Sequence, residues 1–278
     1  MNSRYLTCAG YEIHLLEWGS PAAPPVVMWH GLARTGRDFD DIARALSGTY
    51  RVLCPDTLGR GLSAWARNPA QEYTYPFYGR IALELLQQLR IETLRWVGTS
   101  MGGLLGIGLA GGALKGRITH LVLNDIGPIV EPAAAQRIVA YAGSPPAFDT
   151  LGELERWFRT VYAPFGIPTE GGWRHLLETS FRRMDNGKVT VHYDPRMVQG
   201  ITNAAPPGDP WALYDQVACK TLLLRGKESD VISSATAREM TQRGPKARLV
   251  EFAGFGHAPP LIAPDQQQVV AAFLAERP

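Results

Sequence analysis

No stretch of about eighteen consecutive apolar residues occurs in this chain, so a membrane-spanning helix is not expected. The segment Met1 to Gly10 also lacks the unbroken apolar core of a signal peptide, which points to the cytoplasm. Cysteine is scarce. Cys8, Cys54 and Cys219 lie far apart in strand-like apolar contexts, which suggests neither a disulfide framework nor a thiolate metal site and leaves them as small core hydrophobes. An excess of charge is missing too: 28 basic and 26 acidic side chains leave a formal net charge of +2, with no basic stripe to meet a phosphate backbone. A nucleic-acid partner is therefore not expected. Internal repeats and low-complexity segments are absent. What the chain has is apolar substance: 45% hydrophobic residues in 278 can bury a sizeable core in one domain with one insertion.

Short, continuously apolar runs recur at Pro25–Trp29, Tyr50–Cys54, Leu94–Val97, His120–Asn124, Thr221–Arg225 and Ala247–Phe252. Runs of that kind read as strands buried on both faces, and the helix-length segments between them imply right-handed crossovers in a mostly parallel, doubly wound α/β sheet. Ahead of them, Arg4–Thr7 and Glu12–Trp18 flank Ala9-Gly10 as an antiparallel hairpin. Helices are predicted near Arg37–Leu46, Tyr75–Leu89, Ser100–Ala110, Ser233–Arg243 and Pro264–Ala275. Between Pro128 and about Pro210 the strand rhythm stops. Helical patches at Pro132–Tyr141, Leu151–Tyr162 and Trp173–Arg183, rich in aromatics, predict a helical cap over residues 128–210, inserted into a core domain of residues 1–127 and 211–278. Such insertions cover the carboxyl ends of strands, where open α/β sheets place ligands.

The most informative segment is Gly98-Thr99-Ser100-Met101-Gly102, a G-x-S-x-G pattern directly after an apolar strand. A sharp strand-to-helix turn holds such a serine in a strained conformation, and its glycine neighbours let strand and helix approach. Ser100 is thus the candidate nucleophile. Its hydroxyl needs a base within hydrogen-bond reach, oriented by a buried acid. His257 lies in a glycine-rich loop after the last predicted strand and is the candidate base; His30 reads as a structural histidine. Asp230, in the loop after Thr221–Arg225, is the preferred acid. Asp125, at the end of His120–Asn124, also faces the expected site and is its rival, with a turn or capping role as the competing reading; Glu228 is a third choice. Oxyanion stabilisation calls for two backbone N–H groups, expected from Met101 and Leu32. Arg34 and Trp65 in nearby loops, with Trp157 and Tyr162 of the cap, are candidate substrate contacts, packing being the alternative for each.

Four segments in order resemble the α/β-hydrolase superfamily over nearly the whole chain. His30-Gly31-Leu32 is similar to its oxyanion-hole loop. Asp56-Thr-Leu-Gly59-Arg-Gly61-Leu-Ser63 is similar to its D-x-x-G-x-G-x-S turn, Gly98 to Gly102 to its nucleophile elbow, and Gly256-His257 to its late Gly-His. Many relatives carry the acid three residues after a strand-terminal glycine, whereas Asp230 lies four after Gly226. A serine where dehalogenases and epoxide hydrolases of the superfamily carry aspartate argues against those activities. The resemblance implies a serine esterase or lactonase acting on small or medium apolar esters through an acyl-enzyme, as a monomer or homodimer, with no metal or organic cofactor. Carbon–carbon hydrolysis of ring-fission products and a ligand-receptor role are the alternatives.

Overall fold

The computed structural model describes residues 1–202 and 208–278. Its strands are β1 (Asn2–Cys8), β2 (Tyr11–Trp18), β3 (Pro25–Trp29), β4 (Arg51–Pro55), β5 (Leu94–Thr99), β6 (Ile118–Asn124), β7 (Phe181–Arg183), β8 (Val189–Val191), β9 (Lys220–Gly226) and β10 (Arg248–Phe252). Its α-helices are α1 (Asp40–Leu46), α2 (Pro69–Glu72), α3 (Tyr75–Gln88), α4 (Met101–Gly111), α5 (Pro132–Gly143), α6 (Leu151–Val161), α7 (Glu170–Glu178), α8 (Gln199–Thr202), α9 (Ser234–Met240) and α10 (Pro264–Leu274). Eight strands form one sheet in the order β1-β2-β4-β3-β5-β6-β9-β10. The β1–β2 and β2–β4 pairs are antiparallel; from β4 to β10 all pairs are parallel. The sheet is therefore the mostly parallel α/β arrangement that the apolar runs require.

Alternation along each strand sends side chains to two cores. Val27, Trp29, Leu121, Leu123 and Leu223 pack under α3, α4 and α9, whereas Val26, Met28, Val122, Leu222 and Leu224 pack with α1 and α10. Both faces are covered, which explains why the strands read as unbroken apolar runs. The chain runs from β3 to β4 on one side and then crosses to β5 on the other. That reversal puts a crevice at the carboxyl ends of β3 and β5, the place where such sheets bind ligands.

Between β6 and β9 the chain leaves the sheet, and the excursion is not wholly helical. The predicted patch Trp173–Arg183 breaks: α7 ends at Glu178, and Phe181–Arg183 pairs antiparallel with Val189–Val191. Asn186-Gly187, with Gly187 at φ 82°, supplies the left-handed turn that this hairpin needs. Residues 203–207 of the expected cap lie outside the described residues. No helix among the described residues is long and apolar enough to cross a membrane.

Candidate active site

Ser100 stands between β5 and α4 at φ 50°, ψ −115°, a backbone conformation rare for a residue with a Cβ. Close approach on both sides forces it there. A Cβ on Gly98 would overlap the carbonyl of Gly102, and one on Gly102 would overlap that of Trp29. Beneath the turn, Trp96 and Trp29 stack with ring centroids 5.4 Å apart, and Trp96 Nε1 donates to the Gly102 carbonyl at 3.0 Å. The elbow is thereby held from below.

His257 Nε2 lies 2.9 Å from Ser100 Oγ, as the sequence predicts. The acid is a different matter. His257 Nδ1 lies 2.8 Å from Asp125 Oδ2, whereas Asp230, the preferred choice, is 52% exposed and pairs with Arg137 on the surface. Asp125 is fully buried at the end of β6, with φ 56° turning its backbone sharply. Its Oδ1 accepts from the Gly226 N–H at 2.9 Å, and Oδ2 also accepts from Ser229 Oγ at 2.5 Å. The loop expected to supply the acid instead supplies donors to Asp125. Glu228 is displaced as well: its Oε2 accepts the N–H groups of Gly254 and Phe255, tying down the loop that carries His257.

Met101 opens α4, so its N–H has no intrahelical acceptor, and Leu32 N–H donates to no acceptor among the described residues. Both remain without an acceptor beside Ser100. Arg60 underpins this pair. Completely buried, it donates to the Leu32 carbonyl at 2.9 Å, to Tyr78 Oη at 2.7 Å and to Met101 Sδ at 3.6 Å. His30, also fully buried, donates Nδ1–H to the Gly31 carbonyl at 2.7 Å and accepts the Thr57 N–H at Nε2, which fixes the neutral tautomer. Burial pushes its pKa down to about 4. An unfolded histidine takes up a proton below about pH 6.5, and this one does not until about pH 4, so its contribution to stability is full above pH 6.5 and is lost through that window. Between pH 7 and 4 the protein should lose roughly 3 kcal/mol more than a His30→Asn variant, read as urea-unfolding free energies. Equal losses in the two proteins would remove His30 from the account.

Over Ser100, His257 and Asp125 lies a mainly apolar cavity. Its floor includes Gly31, Leu32, Ser100 and His257, and its roof Ile138, Tyr141, Tyr162, Phe165 and Leu176 from the excursion between β6 and β9. Arg34 and Tyr162 line it as expected. Trp65 and Trp157 do not. Trp65 sits on the surface between Arg182 and Arg196, and Trp157 packs against Phe148 and Phe158 away from the cavity.

The alpha/beta hydrolase family model matches residues 26–273. The chain belongs to that family. This alpha/beta hydrolase is 39% identical over 267 residues to the 3-hydroxybutyrate-oligomer hydrolase of Cupriavidus necator, covering 92% of this chain and 90% of the relative. It is 26% identical over 270 residues to the 2-hydroxymuconate semialdehyde hydrolase of Pseudomonas putida, covering 96% and 88%. Among solved structures, an alpha/beta hydrolase from Novosphingobium aromaticivorans superposes with a TM-score of 0.89 at 34% identity, covering 98% of this chain and 97% of that one. Two residues beside Ser100 and His257 were not singled out by the sequence reading, Ser229 and Arg60, although Arg60 lies inside the D-x-x-G-x-G-x-S turn. Only Arg60 had a visible cue, since a charged residue between two glycines of a buried turn must find acceptors inside the protein.

Proposed function

We propose that this hydrolase cleaves carboxylic esters through Ser100, His257 and Asp125. The observation that carries the reading is the continuous relay from Ser100 Oγ to His257 to the buried carboxylate of Asp125. Asp125 accepts from Nδ1–H and so leaves Nε2 free to take the serine proton. The alkoxide attacks the ester carbonyl, and the N–H groups of Leu32 and Met101 hold the resulting oxyanion. His257 returns the proton to the departing alcohol. Water, deprotonated in turn by His257, then releases the acid from the acyl-enzyme. The apolar cavity and the relative that hydrolyses 3-hydroxybutyrate oligomers together favour short hydroxyacid esters as substrates.

A fluorophosphonate label should attach to Ser100, located by peptide mass spectrometry, and the same preparation should turn over p-nitrophenyl butyrate and a 3-hydroxybutyrate dimer. Absence of both labelling and ester turnover sinks the proposal. Faster cleavage of a ring-fission dienoate than of any ester would assign carbon–carbon chemistry to the same relay.

A further inference from the structure

The cavity wall contains a charged side chain that its own surroundings leave incompletely satisfied. Arg34 is 5% exposed and lines the same cavity as Ser100 and His257. Its Nε and Nη2 donate to the Asp38 carboxylate, with Nε 2.9 Å from Oδ2, and the guanidinium lies 5.0 Å over the Tyr162 ring. Among the described residues Nη1 is buried with no hydrogen-bond partner. Guanidinium keeps its proton, so this donor cannot be relieved by titration, and a buried charged N–H without an acceptor is costly. A methyl group at Gly31 would lie 3.7 Å from Ser100 Cβ and 3.8 Å from Arg34 Cγ, so the nucleophile and the arginine stem border one narrow gap.

Resting on the ester-hydrolase reading, we propose that Arg34 Nη1 donates a hydrogen bond to a second, uncharged carbonyl oxygen of the substrate, so that the site selects esters that carry a further ester group. Charge decides between a neutral and an anionic acceptor. Asp38 already neutralises Arg34, and a free carboxylate on the substrate would bring a second negative charge beside Asp38 into a cavity walled by Ile138, Phe165 and Leu176. A carbonyl satisfies the donor without that repulsion. Internal units of an oligomeric hydroxyacid ester offer such a group at every repeat.

Three substrates test this: methyl 3-acetoxybutyrate, the matching monoester with methylene groups in place of the methyl ester, and 3-acetoxybutyrate with its carboxylate free. The readout is the ratio of kcat/KM for diester over monoester, whatever the absolute rates become. Arg34→Met should lower that ratio about ten- to a hundredfold, the range for a hydrogen bond from a charged donor. Arg34→Lys, which keeps a positive charge for Asp38 but not the planar fork, should lower it in the same direction while circular dichroism verifies the fold. An unchanged ratio in both variants overturns the proposal, and so does a wild-type preference for the free acid that Arg34→Met abolishes. Failure of the ester reading looks different: the unsubstituted enzyme would then hydrolyse none of the three and leave Ser100 unlabelled, and the proposal falls with it.

Discussion

Asparagine at position 125 should lower kcat for ester hydrolysis by about four orders of magnitude, while Asp230→Asn leaves it within about twofold. Asp125 accepts hydrogen bonds from His257 Nδ1, Ser229 Oγ and the Gly226 N–H. An amide has one oxygen to offer where the carboxylate has two, and its NH2 group presented to Nδ1 selects the tautomer that puts the remaining proton on Nε2, where it blocks uptake from Ser100. The imidazolium formed during attack also loses its counter-charge. Asp230 holds only Arg137 across a half-exposed surface pair, a contact worth little in water. Steady-state kinetics on one ester for both variants checks the contrast, with thermal unfolding to confirm that each has folded. Loss of activity in Asp230→Asn with retention in Asp125→Asn would reverse the assignment.

Ser100→Gly should abolish turnover, by about six orders of magnitude, and yet raise stability by about 1 kcal/mol. The two effects have separate causes. Removing Oγ takes away the nucleophile, and the base cannot replace it. At φ 50°, ψ −115° a Cβ is strained, and glycine reaches that conformation without the steric cost, although its greater freedom when unfolded offsets part of the gain. Ser100→Ala loses the same activity but keeps the Cβ, so its stability should lie below that of Ser100→Gly. Denaturant midpoints of the three proteins give the comparison. If glycine proved the less stable variant, backbone strain at the elbow would not be an energetic feature of this fold.

The reach and the limits of the sequence follow from particular residues. Continuous apolar runs gave the parallel sheet its strands because both faces are covered, and Gly98 and Gly102 marked the elbow because no side chain fits there. The histidine beside Ser100 was legible because His257 sits in a glycine-rich loop after the last strand. Its carboxylate partner was not. β6 and β9 are neighbours, with Asn124 in register with Leu224, so the loops after both strands open on the same edge beside His257. Proximity to a strand end cannot separate Asp125 from Asp230; burial against His257 does, since Asp230 is half-exposed and pairs with Arg137, and which of two neighbouring loops turns inward is not written in residue order. The aromatics failed for a similar reason. Tyr162 faces the cavity, whereas Trp157, five residues earlier and part of the same chain of ring contacts, faces away from it.

Asp125 also stands where the chain departs from the sheet. After the buried Ile126, the Glu131 N–H ties the chain again, donating to the Val231 carbonyl at 3.0 Å just before α5 begins. Had the carboxylate beside His257 come from the loop after β9, the whole stretch between β6 and β9 could be exchanged with that of a relative without touching that pair. Here the graft junction is constrained: a chimera spliced at the end of β6 inherits its donor's residue at position 125, and one spliced beyond Glu131 keeps the recipient's. Recombination in this chain therefore transfers either a new roof alone or a roof together with the residue that pairs with His257, depending on a shift of about six residues in the crossover point.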